Sequence, residues 1–190
     1  MEVLFGSSKW TLFLDRDGVI NTRLPDDYVK TPEDFKFLPG VKDAMKILTN
    51  IFDPIIVVTN QQGIGKGLMT EVQLEKIHNE MRSEVEQGGG QIDAIYFCPD
   101  LKNSGSFYRK PAIGMGLRAR KEFPGINFKR SIMAGDSYSD ILFGYRLGMK
   151  TALISEDSNL RFKCGDMLDF SFPDLKSFAF HTHNLRECNK

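Results

Sequence analysis

The chain alternates short apolar runs with segments of helical periodicity, and this alternation constrains its fold more than any other feature. The runs are rich in β-branched and aromatic residues, as buried strands are. They extend from Trp10 to Asp15 and over Pro54–Thr59, Ile92–Cys98, Ser131–Gly135 and Thr151–Ile154. Helical patterns separate them, at Val41 to Phe52, Thr70 to about Gln87, Pro111 to about Phe123 and Tyr138 to Leu147. Strands that alternate with helices imply parallel βαβ units, so we predict an α/β fold with helices on both faces of one sheet.

The length of 190 residues suits one domain, with its core at about residues 9–155. In the tail, 156–190, we predict only a short edge strand at Phe170–Phe172 and a short helix from Asp174 to Phe180. The first eight residues include Glu-Val-Leu-Phe-Gly, which looks like the remnant of a protease-cleavable tag and carries no weight in the fold prediction. The longest connection without a clear pattern runs from Asn21 to Pro39, and we expect it to face the substrate.

The composition excludes several classes of protein. Lys plus Arg equals Asp plus Glu at 25 each, so the strong positive field of a dedicated nucleic-acid binder is missing. No apolar stretch has membrane-spanning length, and no leader pattern is present at the amino terminus. Three widely spaced cysteines, Cys98, Cys164 and Cys188, suit reduced thiols better than a disulfide framework. We expect a cytoplasmic monomer that does not bind membranes.

The first predicted strand ends in two acidic residues, Asp15 and Asp17, that are separated by one position. In an open α/β sheet the carboxyl edge is where ligands bind, so carboxylates there indicate chemistry. The alternative is an ordinary turn, because Asp and Gly are common turn residues.

Three further strand ends favour chemistry. The second ends in Thr59, Asn60 and Gln61, whose polar groups suit an oxyanion, and Lys110 lies between the third strand and the next helix. The fourth strand ends in Gly-Asp-Ser-Tyr-Ser-Asp, which contributes the carboxylates of Asp136 and Asp140. Each residue alone could be a cap, a turn residue or a solvated charge. Four strand ends with such residues at one edge of the sheet predict an active site.

Carboxylates gathered at one point need a cation, and oxygen-only ligands favour Mg²⁺. An ionised Asp15 can attack phosphorus without an activating base, provided that Mg²⁺ and Lys110 neutralise the phosphate. Asp17, near a second carboxylate and partly desolvated, should have a raised pKa. It would then protonate the leaving oxygen and later activate water.

These motifs resemble those of the haloacid dehalogenase superfamily, in the same order and over roughly residues 10–155. The resemblance implies a Rossmann-like fold with strand order 3-2-1-4-5, and Asp15 as the nucleophile that forms an aspartyl-phosphate. It also implies that Mg²⁺ is held by Asp15, the Asp17 main-chain carbonyl and Asp136, with Asp140 as a supporting acid.

A closer resemblance is to the heptose 1,7-bisphosphate phosphatases and their histidinol-phosphatase relatives. It rests on segments 15–21, 28–29, 35–40, 59–67, 92–99 and 109–111. It implies a phosphatase of small sugar phosphates without a large cap domain. Residues that would bind the substrate are Arg16, Asn60, Gln61 and Arg109.

The sequence departs from that family where many members carry zinc, on a Cys-x-His pair followed by Cys-x-Cys. The corresponding positions are Cys98, Asp100, Ser106 and Tyr108, a poor zinc set, so we predict no zinc.

Three alternatives stay open. The first alternative is that the substrate is histidinol phosphate. Another is a 3′-phosphorylated polynucleotide, because Tyr108-Arg109-Lys110-Pro111 also resembles polynucleotide 3′-phosphatases. The basic residues that could touch a nucleic-acid backbone are Arg118, Arg120, Lys121, Lys129 and Arg130. We expect a solvated helix face instead and no nucleic-acid partner. The third alternative is a binding module without catalysis.

Overall fold

A six-stranded parallel sheet organises the molecule, in a computed structural model that describes residues 9–25 and 27–188. The strands lie in the order β3-β2-β1-β4-β5-β6, and every neighbouring pair is parallel. Their bounds are β1 Trp10–Leu14, β2 Phe52–Asn60, β3 Ala94–Cys98, β4 Ser131–Gly135, β5 Lys150–Ile154 and β6 Phe170–Phe172. The predicted α/β fold and the order 3-2-1-4-5 are confirmed, and β6 extends that order by one strand.

Seven α-helices connect and cover the strands of the described chain. Their bounds are α1 Val41–Thr49, α2 Gln62–Gly65, α3 Glu71–Gln87, α4 Gly114–Glu122, α5 Tyr138–Leu147, α6 Ser158–Cys164 and α7 Leu175–Glu187. In the long connection from Asn21 to Pro39, a single 3₁₀ turn forms at Pro32–Asp34.

Alternate residues of β1 enter different cores, because side chains of a strand point to opposite faces. Leu12 and Leu14 pack with residues of α1, α3 and α7. Phe13 lies in the other core, with residues of α4 and α5. The sheet is therefore buried on both faces, and only its edges are open to ligands.

Several predicted elements agree closely with the observed ones. The bounds of β4, α5 and β6 are as predicted. The N-cap of α3 is also confirmed, since Thr70 Oγ1 accepts a hydrogen bond from Gln73 N while Gln73 Oε1 accepts one from Thr70 N.

The structure adds two helices that the sequence patterns did not predict, and lengthens a third. Helix α2 has four residues, two of them glycine, so it is too short to show periodicity. Helix α6 buries only Cys164 and presents a largely polar sequence. Helix α7 continues past the predicted end at Phe180 to Glu187 and packs on α1.

The tag remnant predicted at residues 1–8 lies outside the described residues. Among the residues that the structure describes, no helix has the length and apolar character needed to cross a bilayer.

Candidate active site

The carboxyl edge of the sheet brings the ends of β1, β2 and β4 together. Strand β1 lies between the other two, and Leu14 pairs with Val57 on one side and Ala134 on the other. The register continues one residue further, where Asp15 N donates a 3.0 Å hydrogen bond to Ala134 O. Asp15 therefore leaves the sheet beside the segment that carries Asp136 and Asp140.

Lys110 lies at the centre of this acidic cluster. Its Nζ is 2.8 Å from Asp15 Oδ1, 2.6 Å from Asp140 Oδ1 and 2.6 Å from Val58 O. The lysine is buried, and so are Asp15 and Asp140. Because a buried ammonium is stabilised only by close acceptors, these contacts hold Lys110 charged and fix its position.

Asn60 holds the backbone of Lys110. Its Nδ2 donates to Lys110 O at 3.1 Å, and its Oδ1 accepts from Lys110 N at 3.0 Å. Both polar groups of Asn60 are thus engaged, which favours positioning of Lys110 over the predicted contact with substrate.

The cluster shifts the pKa of its members away from their ordinary values. Burial and the neighbouring Asp140 raise the pKa of Asp15 to about 6. Burial and Asp15 raise the pKa of Asp136 to about 8. Burial opposes the charge of Lys110, but Asp140 and Asp15 outweigh it and raise the pKa of the lysine. The acids thus repel one another strongly and favour a bound cation.

Asp17 is different, and the predicted rise in its pKa is wrong. Burial would raise the pKa, but the Arg16 charge and hydrogen bonds from Arg16, Asn21 and Gln61 outweigh it and lower the pKa. Arg16 Nη2 lies 2.9 Å from Asp17 Oδ1, and Gln61 Nε2 donates to Asp17 Oδ2 at 2.8 Å. Asp17 is therefore a stabilised carboxylate in this state.

Arg16 is buried at 1% exposure and belongs to a network that the sequence did not predict. Its Nη1 lies 3.2 Å from His78 Nε2, and its Nη2 also donates to Gln61 Oε1 at 3.2 Å. These contacts favour the positioning of Asp17 by Arg16, and the predicted contact of Arg16 with substrate stays a prediction. The available signal was that His78 shares the buried face of α3 with Leu74 and Ile77.

His78 is held neutral by its surroundings. Burial and the adjacent Arg16 lower its pKa to about 3. A neutral imidazole can accept from Arg16 at Nε2 if its proton is on Nδ1.

Thr59 and Gln61 lie beside Asp17, as expected for a common site. Gln61 Nε2 also donates to Thr59 Oγ1, at 2.8 Å.

Thr59 and Gln61 are buried and line the floor of a cleft of about 530 Å³. The long connection contributes Arg23, Leu24, Asp27, Tyr28 and Val29 to the same cleft. The rim carries further cations, including Lys66, Lys102 and Arg109.

One group of acids in the described chain fits a metal ion. Oxygen atoms of Asp15, Asp136 and Asp140 all lie within 4.8 Å of one another. Gly18 lets its turn approach Asp136 closely, because a Cβ there would come within 1.9 Å of Asp136 Oδ2. The turn after Asp17 thus lies directly against Asp136. An all-oxygen donor set of carboxylates and a carbonyl suits Mg²⁺.

Hydrogen bonds surround Cys98 in the loop where relatives of the predicted family carry zinc. Cys98 Sγ lies 3.4 Å from Asp100 Oδ2 and 3.7 Å from Ser106 Oγ, and Tyr108 N donates to Ser106 Oγ. Arg109 Nη1 donates to Asp100 O at 2.9 Å. One thiol with oxygen neighbours is a weak set of zinc ligands, which is consistent with the prediction of no zinc. The absence of zinc stays a prediction.

Comparisons with known proteins point to one group of enzymes. A family model described as polynucleotide kinase 3 phosphatase matches residues 12–183. A Mycobacterium bovis protein named D-glycero-alpha-D-manno-heptose-1,7-bisphosphate 7-phosphatase is 36% identical over 178 residues, which cover 94% of each chain.

Solved structures agree. D,D-heptose 1,7-bisphosphate phosphatase from B. bronchiseptica, complexed with magnesium and phosphate, has a TM-score of 0.82 and 29% identity, covering 90% of this chain and 97% of that one. A structure described as a HAD-like phosphatase, from Mesorhizobium loti, has a TM-score of 0.79 at 24% identity, covering 98% of this chain and 90% of that one. The second similarity concerns the fold alone.

Proposed function

Because the chain belongs to the polynucleotide kinase 3 phosphatase family, and so to the haloacid dehalogenase phosphatases, we propose that it removes the 7-phosphate of D-glycero-D-manno-heptose 1,7-bisphosphate with Mg²⁺. One observation carries the proposal: Lys110 Nζ contacts both Asp15 and Asp140, while Asp136 completes an oxygen cluster within 4.8 Å. This is the arrangement that a phosphoryl group with its counter-ions requires.

Asp15 is the nucleophile in this proposal. A carboxylate oxygen of Asp15 attacks phosphorus, the phosphorus–oxygen bond to the sugar breaks, and an aspartyl-phosphate forms. Water then attacks that phosphorus, which releases inorganic phosphate and regenerates Asp15. Lys110 holds the carboxylate in place and neutralises charge on the transferred group.

Asp17 moves the protons. It gives one to the sugar oxygen as the first bond breaks and takes one from the attacking water in the second step. The pKa of Asp17 is lowered in the free site, so its carboxyl must gain a proton before it can act as the acid. The negative charge of the approaching phosphate raises the pKa of Asp17 and so favours that proton. Arg16 and Gln61 orient the Asp17 carboxylate. Thr59 contacts Gln61, and its hydroxyl would bind a phosphate oxygen.

Asp15, the Asp17 carbonyl and Asp136 would hold Mg²⁺, which supplies positive charge to the transferred phosphoryl group. Asp140 acts through Lys110 and Ser137. Its Oδ2 accepts from Ser137 N at 3.1 Å and so caps α5. Arg109 lies on the cleft rim, where it would contact the sugar or the distant phosphate.

A second candidate function is a polynucleotide 3′-phosphatase, which the description of the matching family model favours. The position of the basic residues argues against it. Lys129 and Arg130 precede β4 and therefore lie at the amino edge of the sheet, opposite the acids. Arg118 pairs with Glu122, and Arg120 lies over the Phe128 ring. We therefore propose that the chain has no nucleic-acid partner.

The proposal includes a monomer in the cytoplasm. Cys98, Cys164 and Cys188 are free thiols in the structure, which supports a reducing compartment. Sedimentation of the purified protein tests the monomer, and a dimer would contradict it.

A turnover panel tests the function. The wild type and Asp15→Asn would be assayed with Mg²⁺ on both anomers of heptose 1,7-bisphosphate, on histidinol phosphate and on a 3′-phosphorylated oligonucleotide. We expect the highest kcat/KM on a heptose bisphosphate and no turnover by Asp15→Asn. Preference for the oligonucleotide, with strongly salt-dependent binding, would favour the second function. No turnover of any ester would favour a binding module.

A further inference from the structure

Arg23 places one nitrogen among the oxygens expected to bind Mg²⁺. Its Nη2 lies 2.9 Å from Asp136 Oδ1, 3.2 Å from Asp17 O and 4.0 Å from Asp15 Oδ2. These three residues supply the ligand set predicted from the sequence. A guanidinium nitrogen thus stands where the cation is expected.

The balance of charge explains why a cation is drawn there. In the ionised form that metal binding requires, Asp15, Asp17, Asp136 and Asp140 place four carboxylates around two buried cations, Lys110 and Arg16. Two negative charges remain; Arg23 neutralises one of them, whereas a divalent ion neutralises both.

Arg23 is also able to leave. Its side chain is 53% exposed, unlike that of Lys110 at 2%, and it extends from the long connection that borders the cleft. In the described residues, its hydrogen bonds and ion pairs with side chains go to the metal-binding acids.

We propose that Arg23 is a built-in counter-cation that competes with Mg²⁺ for the same oxygens. It stabilises the acidic cluster while no metal is bound, and it leaves when Mg²⁺ enters, because the guanidinium nitrogen and the ion would occupy the same place between these oxygens and their positive charges repel each other. The inference deepens the proposed function and rests on its metal site. It assigns Arg23 a positioning role for the metal ligands and a direct effect on metal affinity.

Calorimetric titration with Mg²⁺, without substrate, measures this competition. Arg23→Gln removes the charge and keeps a polar side chain, so we expect the Mg²⁺ dissociation constant to fall about threefold to tenfold. Arg23→Lys should give an intermediate value. Arg118→Gln is the matched control, because it removes one exposed arginine that contacts Glu122 and the Tyr96 ring and none of the proposed metal ligands, and it should bind Mg²⁺ as the wild type does.

Thermal unfolding provides a second readout. In EDTA, Arg23→Gln should melt about 2–4 °C below the wild type, because its acids have lost their counter-charge. Saturating Mg²⁺ should remove the difference. A purely structural role would instead lower both melting temperatures alike and leave the affinity unchanged.

The outcomes separate this inference from the proposed function. Equal or weaker Mg²⁺ binding by Arg23→Gln, in a protein that still hydrolyses heptose bisphosphate, overturns the role of Arg23 alone. A wild type that does not bind Mg²⁺ overturns both. Tighter binding by Arg23→Gln and an unchanged Arg118→Gln support the competition.

Discussion

Asp15 and Asp17 are two residues apart, yet their surroundings shift their pKa in opposite directions. Burial and Asp140 raise the pKa of Asp15, whereas Arg16, Asn21 and Gln61 together outweigh burial and lower that of Asp17. Such divergence between neighbouring carboxyls allows separate chemical roles. The two carboxyls are therefore electrostatically distinct, and the separate roles assigned to them stay a proposal.

The role of Asp17 predicts a specific defect in Asp17→Asn. We expect kcat on heptose bisphosphate to fall about 10²-fold to 10⁴-fold, because both proton transfers are lost. An aryl phosphate, whose leaving group needs no proton, should still phosphorylate Asp15 and give a burst followed by slow turnover. Rapid-quench kinetics measure the burst. Asp43→Asn, an exposed residue of α1, serves as the control, and the absence of a burst with the aryl phosphate in Asp17→Asn would contradict the role.

His78 predicts a dependence of stability on pH. Its pKa is about 3 in the folded protein, below its ordinary value of 6.5, so the unfolded chain binds the proton first. The stability that neutral His78 contributes is complete above pH 6.5 and is lost as the pH falls toward 3. At pH 5 the loss should be about 2 kcal/mol.

His78→Gln tests this, because glutamine can accept from Arg16 and does not titrate. Urea unfolding in EDTA at pH 7 and pH 5 should show a smaller loss of stability for the variant than for the wild type. Parallel losses in the two proteins would show that His78 does not contribute.

At the scale of elements, the tail completes the fold. Strand β6 pairs with β5, and Phe178 of α7 packs against Phe52 and Phe172, at ring distances of 6.3 Å and 5.5 Å. The same helix carries Phe180 on its exposed side. Residues beyond 155 therefore belong to the packed core and are more than an appendage.

Two phenylalanines of α7 provide a matched pair of variants. Phe178→Ala should lower the free energy of unfolding by about 3–5 kcal/mol, because it opens a cavity between α7 and the sheet. Phe180→Ala should change it by less than about 0.5 kcal/mol. Urea unfolding measures both. Since Phe52 begins β2, at the edge opposite the acids, kcat of folded Phe178→Ala should be unchanged, and selective loss of activity would be contrary to this account.

For the molecule as a whole, the proposed metal site and the core are separate. The acids gather at the carboxyl edge, whereas apolar cores cover both faces of the sheet. EDTA should therefore abolish turnover while near-ultraviolet circular dichroism stays native, and added Mg²⁺ should restore activity. Turnover that persists in EDTA would exclude the metal from the reaction.

The loop around Cys98 gives a prediction about zinc. Because Asp100 and Ser106 bond to the thiol where relatives place metal ligands, we expect purified protein to hold no stoichiometric zinc. Elemental analysis after dialysis measures this. One zinc per chain, removed only by denaturation, would show that the loop binds metal with other donors.

Elements whose causes are local could be predicted from neighbouring residues alone. Strand β4 and helix α5 have the predicted bounds, because an apolar run, a capping Asp140 and a terminal Gly148 act on neighbouring residues. The strand ends also predicted which acids meet, since parallel strands share one carboxyl edge. Helices α2 and α6 were missed because each is too short or too polar to show a period.

Tertiary structure decided the rest, since it depends on residues far apart in the chain. The lowered pKa of Asp17 comes from Gln61 and from an arginine buried against His78, 62 positions away. Arg23 meets Asp136 across 113 positions. Charge and hydrogen bonding act through space, so a list of neighbours in sequence can predict which residues form the site but not the electrostatic state of each one.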